Sequence, residues 1–284
     1  VYLIENNFNF CSADEENIFT YVWLPDNKDI IKAVVHIIHG MGEHAERYKD
    51  FAKFLTGSGF AVYASDQRGH GKTAGSADRL GHFADNGGWG QVLKDLKTIN
   101  SIIANRYPGK PVFIFGHSAG SFLAADIVMT EPENIRGVIL ASTMASPGPI
   151  GKLGIIAANL IIRKNGPKAK SPFHKKMTFD KYNNYFKPVR TPSDWTNRDE
   201  KAVDAMLADP YCYSLFSAAF YLELIRATYR VNDIKNIRNI PDKMPVFIIS
   251  GTHCALGAFG RGTVKVYRTY LKAGLKNIEM KLYE

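Results

Sequence analysis

Three cysteines, Cys11, Cys212 and Cys254, are too few and too scattered along the 284 residues for a disulfide framework or a zinc site, and they read as reduced thiols. Long apolar runs are also missing. The longest nearly uncharged apolar run of note, Leu153 to Ile162, falls far short of the roughly 20 residues that cross a bilayer, and it contains Asn159. The opening residues, VYLIENNFNF, lack the basic start and apolar block of a secretory signal, so a cytoplasmic location is the expectation. Internal repeats and low-complexity tracts are absent, which sets solenoids and arrays aside. What is present is globular. Hydrophobic residues make up 45% and charged residues 22%, at a length that suits one large domain carrying an insertion.

Acid is scarce in one place. From Lys152 to Lys187 there are nine basic residues and one acid, Asp180, a net +8 out of +9 for the whole chain. The remainder is close to neutral, so the charge points to a local anionic contact and not to a protein coated in positive charge.

Short β-branched or aromatic runs, Val34 to Ile38, Phe60 to Ala64, Val112 to Phe115, Val138 to Leu140 and Val246 to Ile249, suit strands buried on both faces. Helical spacing separates them, as in Tyr48, Phe51, Ala52, Leu55 and in Val92, Leu96, Ile99, Ile103, and again in Val264, Tyr267, Leu271. Repeated β-α alternation predicts an α/β fold, a mostly parallel sheet of about eight strands with helices on both faces. Phe8 to Cys11 and Ile18 to Leu24, with no helix between, predict a leading antiparallel hairpin. The alternation breaks after Leu140, and seven of the 13 prolines fall between Pro147 and Pro210. We read residues 1–145 and 233–284 as one core interrupted by a helical cap at 146–232, with Leu215, Ala218, Ala219, Leu222 and Ile225 marking one amphipathic cap helix.

The most specific chemical signal is Gly116-His117-Ser118-Ala119-Gly120, set between an apolar strand and an apolar helix. Nucleophilic chemistry needs a serine on an abrupt strand-to-helix turn, and Gly116 and Gly120 leave room for it. Ser118 is the candidate nucleophile. His39-Gly40-Met41-Gly42-Glu43-His44 follows another strand, and Gly40 and Gly42 let the N–H of Met41 join that of Ala119 in an oxyanion hole. The segment Asp66-Gln-Arg68-Gly-His70-Gly71-Lys72 imitates a catalytic cluster, but its glycines and charges suit loop bracing. His36 and His117 suit packed or hydrogen-bonded roles, so no metal is implied.

Together, His39 to His44 with Arg47-Tyr48, Asp66 to Gly71 and Gly116 to Gly120 resemble the α/β-hydrolase fold, and within it the monoacylglycerol lipase and lysophospholipase branch. That resemblance implies cofactor-free hydrolysis of a single-chain lipid ester, a small lipid substrate, by a Ser, Asp and His triad. It also puts the triad acid at the fourth position of the loop Gly251-Thr252-His253-Cys254, where this chain has Cys254 in place of Asp. The family's catalytic His would follow the last strand, Asn277 to Tyr283. All eight histidines lie earlier, and the expectation is a further segment beyond Glu284 that carries it.

In the cap, Ile150, Leu153, Ile155, Ile156, Leu160 and Ile161 stand beside Lys152, Arg163 and Lys164. A lid over the nucleophile and a peripheral contact of residues 150–187 with an anionic membrane both fit this pattern. Aromatic residues interleave with the basic ones from Phe173 to Phe186, but no nucleic-acid-binding motif accompanies them. Two rivals to an esterase follow from the residues. One is a non-catalytic lipid-binding protein, motivated by Cys254; the other is a serine amidase or peptidase, because the same triad cleaves both bonds.

Overall fold

The structure is a computed structural model that describes residues 3–284 apart from Lys28, Asp29 and Ser214. Strands β1 (Leu3–Cys11) and β2 (Asn17–Pro25) form the antiparallel hairpin, in register from Leu3 opposite Pro25 to Cys11 opposite Asn17. β1 starts five residues before the expected Phe8. Its residues Glu5, Asn6 and Asn7 carry no apolar signal, and pairing along β2 makes them a strand.

The core continues with β3 (Ala33–Ile38), helix α1 (Lys49–Gly57), β4 (Phe60–Ser65), the short turn α2 (Gly71–Ala74), α3 (Gly88–Arg106), β5 (Val112–His117), α4 (Ala119–Thr130) and β6 (Ile135–Ala141). Helices then take over: α5 (Gly148–Asn165), the short α6 (Pro172–Lys175) and α7 (Lys181–Asn183), α8 (Glu200–Ala208), α9 (Ala218–Val231) and α10 (Ile234–Ile237). β7 (Val246–Gly251), α11 (Arg261–Ala273) and β8 (Ile278–Tyr283) close the fold. The eight strands form one sheet in the order β1-β2-β4-β3-β5-β6-β7-β8, parallel from β4 through β8 and antiparallel at β1 and β2.

All six residues of β3 are buried. Because neighbouring side chains of a strand face opposite ways, Val34 and Ile38 enter the larger core with α3, α4, α9 and α11, while Val35 and Ile37 join Trp23, Val62 and Ala52 of α1 on the other face. α4 is buried along eleven of its twelve residues, which fits its nearly uniform apolar sequence. Its one acid, Asp126, accepts the Trp89 indole N–H at 2.9 Å and Arg230 Nε–H at 2.8 Å, so it ties α3 and α9 to the central helix.

The helical segment leaves the sheet after β6 and returns at β7. α9 starts at Ala218 because the buried Ser217 hydroxyl accepts the Phe220 N–H, which places Leu215 outside the helix in contrast to the sequence reading. Among the described residues no helix is long and apolar enough to cross a membrane.

Candidate active site

In strand order, the chain turns one way from β3 to β4 and the other way at β5, so the switch point of the parallel sheet lies between β3 and β5. Ligand crevices of open α/β sheets form at the carboxyl ends of strands at such a point. The two motifs singled out in the sequence sit there: His39 to His44 leaves the end of β3, and the Gly116 to Gly120 turn leaves β5.

Ser118 is the half-buried residue between β5 and α4, with φ 51° and ψ −121°. This left-handed backbone is costly for a residue with a Cβ, and it is held by Ser118 N–H donating to Ala141 O at 2.9 Å and by Ser121 N–H donating to Ser118 O at 2.9 Å. The elbow tolerates nothing larger than glycine beside it. A methyl at Gly120 would enter the carbonyl oxygen of Ile38, and one at Gly116 would reach Ala124 Cβ at 2.7 Å.

The same test shows how closely the two loops approach, since a Cβ at Gly40 would lie 3.1 Å from Ser118 Cβ. Met41 and Ala119 both line the cavity that contains Ser118. Among the described residues neither the Met41 N–H nor the Ala119 N–H has a protein acceptor. Ala119 is the first residue of α4, where an N–H is free by helix geometry and the dipole favours negative charge.

Glu43, which sequence reasoning left without a role, joins these loops. Its Oε1 accepts the Gly40 N–H at 2.6 Å, the Tyr48 hydroxyl at 2.8 Å and His117 Nδ1–H at 2.9 Å. Burial pushes the Glu43 carboxyl up, but the charge and hydrogen bond of His117 outweigh it and leave the group well below the usual carboxylate range. No periodicity could reveal this, because His117 lies 74 residues away in sequence.

Behind the loop the Asp66 segment braces, as its composition suggested. Asp66 accepts the N–H of Ala45 at 2.8 Å and of Lys72 at 2.7 Å, and Gln67 holds His39 O at 2.7 Å. His39 donates Nδ1–H to Gly40 O at 2.7 Å and accepts the Gln67 N–H on Nε2 at 3.0 Å, so it is the neutral tautomer, and burial lowers its pKa. Arg68 meets Asp95 at 2.6 Å and Asp14 at 2.6 Å. His36 is buried against Asn100 at 2.7 Å.

The cap grips the same loop. Tyr213 donates its N–H to Gly42 O at 3.2 Å and its hydroxyl to Gly69 O at 2.6 Å, and His44 Nε2–H meets Asp209 at 2.7 Å. His44, Asp209 and Cys212 bring ligand atoms within 4.8 Å of one another, and two of them are already engaged, His44 with Asp209 at 2.7 Å and Cys212 Sγ with Arg47 Nη1–H at 3.5 Å. A Ser–His–Asp line away from Ser118, Ser217 to His82 at 2.9 Å and His82 to Asp85 at 3.0 Å, also joins the helical insertion to the rest of the fold. Ser217 is 0% exposed and committed to capping α9, so that line is structural.

Cys254 lines the cavity that contains Ser118, on the loop after β7. Among the described residues its Sγ receives only the Gly257 N–H, at 3.5 Å. Among the described residues no histidine hydrogen-bonds to the Ser118 hydroxyl. The cavity measures about 900 Å³, and Ile150, Leu153, Phe173, Met177, Leu224 and Ile225 supply much of its apolar wall.

This sheet, elbow and cap define an α/β-hydrolase. It is similar in architecture to a highly thermostable carboxyl esterase from Bacillus coagulans, which superposes with a TM-score of 0.89 at 24% identity over 98% of this chain and 89% of that one. The sequence profile of the Hydrolase_4 family, serine aminopeptidase S33, matches residues 29–284, and the chain belongs to that family. It is similar to the monoacylglycerol lipase of Mycolicibacterium smegmatis (36% identity over 203 residues, 71% of this chain and 63% of the relative) and to the mouse monoglyceride lipase (27% over 228 residues, 78% and 65%). The chain spans about half to two thirds of the length of the mammalian, poxviral and mycobacterial monoglyceride lipase relatives it matches.

Proposed function

We propose that this protein is a serine carboxylester hydrolase acting on a single-chain lipid ester through an acyl-enzyme on Ser118. The observation that carries this reading is the apolar cavity of about 900 Å³ that holds both Ser118 and the two acceptor-free amides of Met41 and Ala119. Its size and lining suit one acyl chain. Ser118 Oγ attacks the ester carbonyl carbon as its proton passes to a base. The carbonyl oxygen becomes the oxyanion between the two amides, the C–O bond to the alcohol breaks, and the alcohol leaves with the proton. Water then releases the fatty acid by the same route. The relatives' lipase names and the apolar lining favour an ester of a lipid over the amide bond in the family's aminopeptidase description. Turnover of a decanoyl nitrophenyl ester by the full-length protein tests the reading. Activity that Ser118→Ala abolishes supports it, and activity unchanged by that substitution overturns it.

Cys254 favours a second reading, a lipid-binding protein on the same scaffold, because a thiol with one weak contact cannot orient an imidazole as a carboxylate does. The cap also supports reversible contact with an anionic membrane. Leu153 and Leu160 of α5 are 65% and 62% exposed, and the surrounding segment carries a net +8.

A further inference from the structure

Three side chains of metal-ligand type meet where the helical insertion touches the loop after β3. His44 ends that loop, while Asp209 and Cys212 follow α8, and Asp209 lies 165 residues further along the chain than His44. One ligand atom from each lies within 4.8 Å of the other two. His44 Nε2 is 2.7 Å from Asp209 Oδ2, and the Cys212 N–H donates to Asp209 O at 3.0 Å in a turn that keeps the carboxylate and the thiol together. A cysteine count could not show this cluster, because only one of its three donors is a thiol.

The surroundings hold these donors in place. Asp209 Oδ1 accepts the Tyr211 N–H at 2.8 Å, which leaves Oδ2 to His44, and the His44 ring packs edge-on against Tyr211 at 5.6 Å between centroids. Arg47 Nη1–H donates to Cys212 Sγ at 3.5 Å, and Arg47 Nε lies 3.7 Å from Glu43 Oε2, so the guanidinium charge is balanced. A charged donor beside a thiolate stabilises it, and outer contacts that orient the ligands are a regular part of metal sites. His44 is 5% exposed, whereas Cys212 lines the cavity that holds Ser118. The cavity gives an ion a route in and leaves one coordination position to water.

An imidazole nitrogen, a carboxylate oxygen and a thiolate suit zinc. Magnesium and calcium need oxygen donors, whereas zinc takes all three types at about 2.0–2.3 Å in a tetrahedron, which sets ligand atoms roughly 3–4 Å apart. The distances here, 2.7 Å between His44 and Asp209 and at most 4.8 Å to Cys212, bracket that range, so side-chain movements of about 1 Å close the site. We infer that His44, Asp209 and Cys212 bind one zinc ion, with water as the fourth ligand. Binding replaces the His44–Asp209 hydrogen bond with two zinc bonds, leaves the imidazole proton on Nδ1 and sends the thiol proton to solvent. Tyr213, next to Cys212, donates its N–H to Gly42 O at 3.2 Å, so the ion clamps the insertion onto the loop that carries Met41. The ester chemistry at Ser118 needs no such ion, and zinc binding is measured without turnover.

The test is calorimetric titration of zinc chloride into untagged full-length protein that has been treated with a chelator and dialysed free of it. One ion per chain with a dissociation constant at or below about 1 μM is expected, and magnesium and calcium should not bind on this scale. Cobalt(II), a spectroscopic substitute for zinc, should develop the charge-transfer absorption of a cobalt–thiolate bond. Cys212→Ser should remove that band, and Cys11→Ser and Cys254→Ser should leave it. A band that survives Cys212→Ser and vanishes in Cys254→Ser assigns the ion to the other cavity thiol and overturns the inference. His44→Ala and Asp209→Asn should each weaken zinc at least about tenfold. Because His44 is buried and its variant can lose the fold, the unmodified protein supplies a second reading. Zinc at about 100 times its dissociation constant should raise the unfolding temperature by about 4 °C or more, and it should slow alkylation of Cys212 by iodoacetamide at least about tenfold without protecting Cys254. Weaker binding, several ions per chain, or a Cys212 that reacts equally fast with and without zinc overturns the inference.

Discussion

Glu43 and His117 share a hydrogen bond of 2.9 Å, and the Glu43 oxygen that accepts it also accepts the Gly40 N–H at 2.6 Å. One carboxylate oxygen therefore links the loop that carries Met41 to the elbow that carries Ala119. The two amides proposed to hold the oxyanion are set at a fixed separation by a side chain that need not touch substrate.

Removing that link should cost rate before it costs fold. Glu43→Ala should slow phosphonylation of Ser118 by about 100-fold, the scale of one lost oxyanion donor, and Glu43→Gln, which keeps an acceptor oxygen, by under about tenfold. Stopped reactions with a fluorophosphonate ester measure both.

The same pair has a signature in pH. Burial alone would lower the pKa of His117, but the Glu43 charge and hydrogen bond outweigh it and raise the pKa above the ordinary histidine value. A raised value means that the ion pair contributes fully at pH below the ordinary range and fades as pH climbs through the raised one. NMR titration of the His117 ring should give a midpoint above 6.5 that falls in Glu43→Gln. An unchanged midpoint would separate His117 from Glu43.

At two other buried histidines the sign is opposite. Burial lowers the pKa of His36 to about 4 and that of His70 to about 3. Between pH 6.5 and these values the unfolded chain takes up protons that the folded chain refuses, so stability falls as pH falls. Each histidine contributes up to about 1.4 kcal/mol per pH unit in that window. Urea unfolding at pH 7.5, 6.0 and 5.0 should show the loss, and His36→Gln should flatten the slope by about one histidine's share.

The exposed face of α5 separates membrane contact from folding. Ile156→Asp with Leu160→Asp should reduce partition onto anionic vesicles by at least about tenfold, because each large aliphatic side chain buried in lipid contributes about 1.5–3 kcal/mol. Thermal unfolding should hardly move, since both side chains face solvent. Unchanged vesicle binding would take the membrane contact away from α5.

Cys254 bears on activity more directly. A triad carboxylate fixes the tautomer of its histidine, and disabling it in a serine protease lowers turnover by about four orders of magnitude. Cys254→Asp should therefore raise ester turnover of the full-length protein by at least about tenfold. Turnover that stays at background in this variant favours the lipid-binding reading.

Much of this was legible in the chain. Parallel strands are buried on both faces, so Val34 to Ile38 and Val112 to Phe115 stand out as unbroken apolar runs. The Ser118 elbow is legible because its glycines are demanded by close contacts, Gly116 with the turn's own Gly120 carbonyl and Gly120 with the end of β3, which leave a fixed spacing in the sequence. β1 was half hidden, since an edge strand needs only a partner and tolerates Glu5, Asn6 and Asn7. Glu43 stands within the His39 to His44 motif, but nothing in the sequence marks its role, which depends on Tyr48 and His117 arriving from other elements.

The most direct measurement is a crystal structure of the protein after reaction with a decanoyl phosphonate ester. The account predicts a covalent bond to Ser118 Oγ, with the phosphonyl oxygen about 2.7–3.1 Å from the N–H groups of both Met41 and Ala119 and the decanoyl chain against Ile150, Leu153 and Ile225. A serine that stays unmodified, or an adduct whose oxygen turns away from those amides, would contradict it.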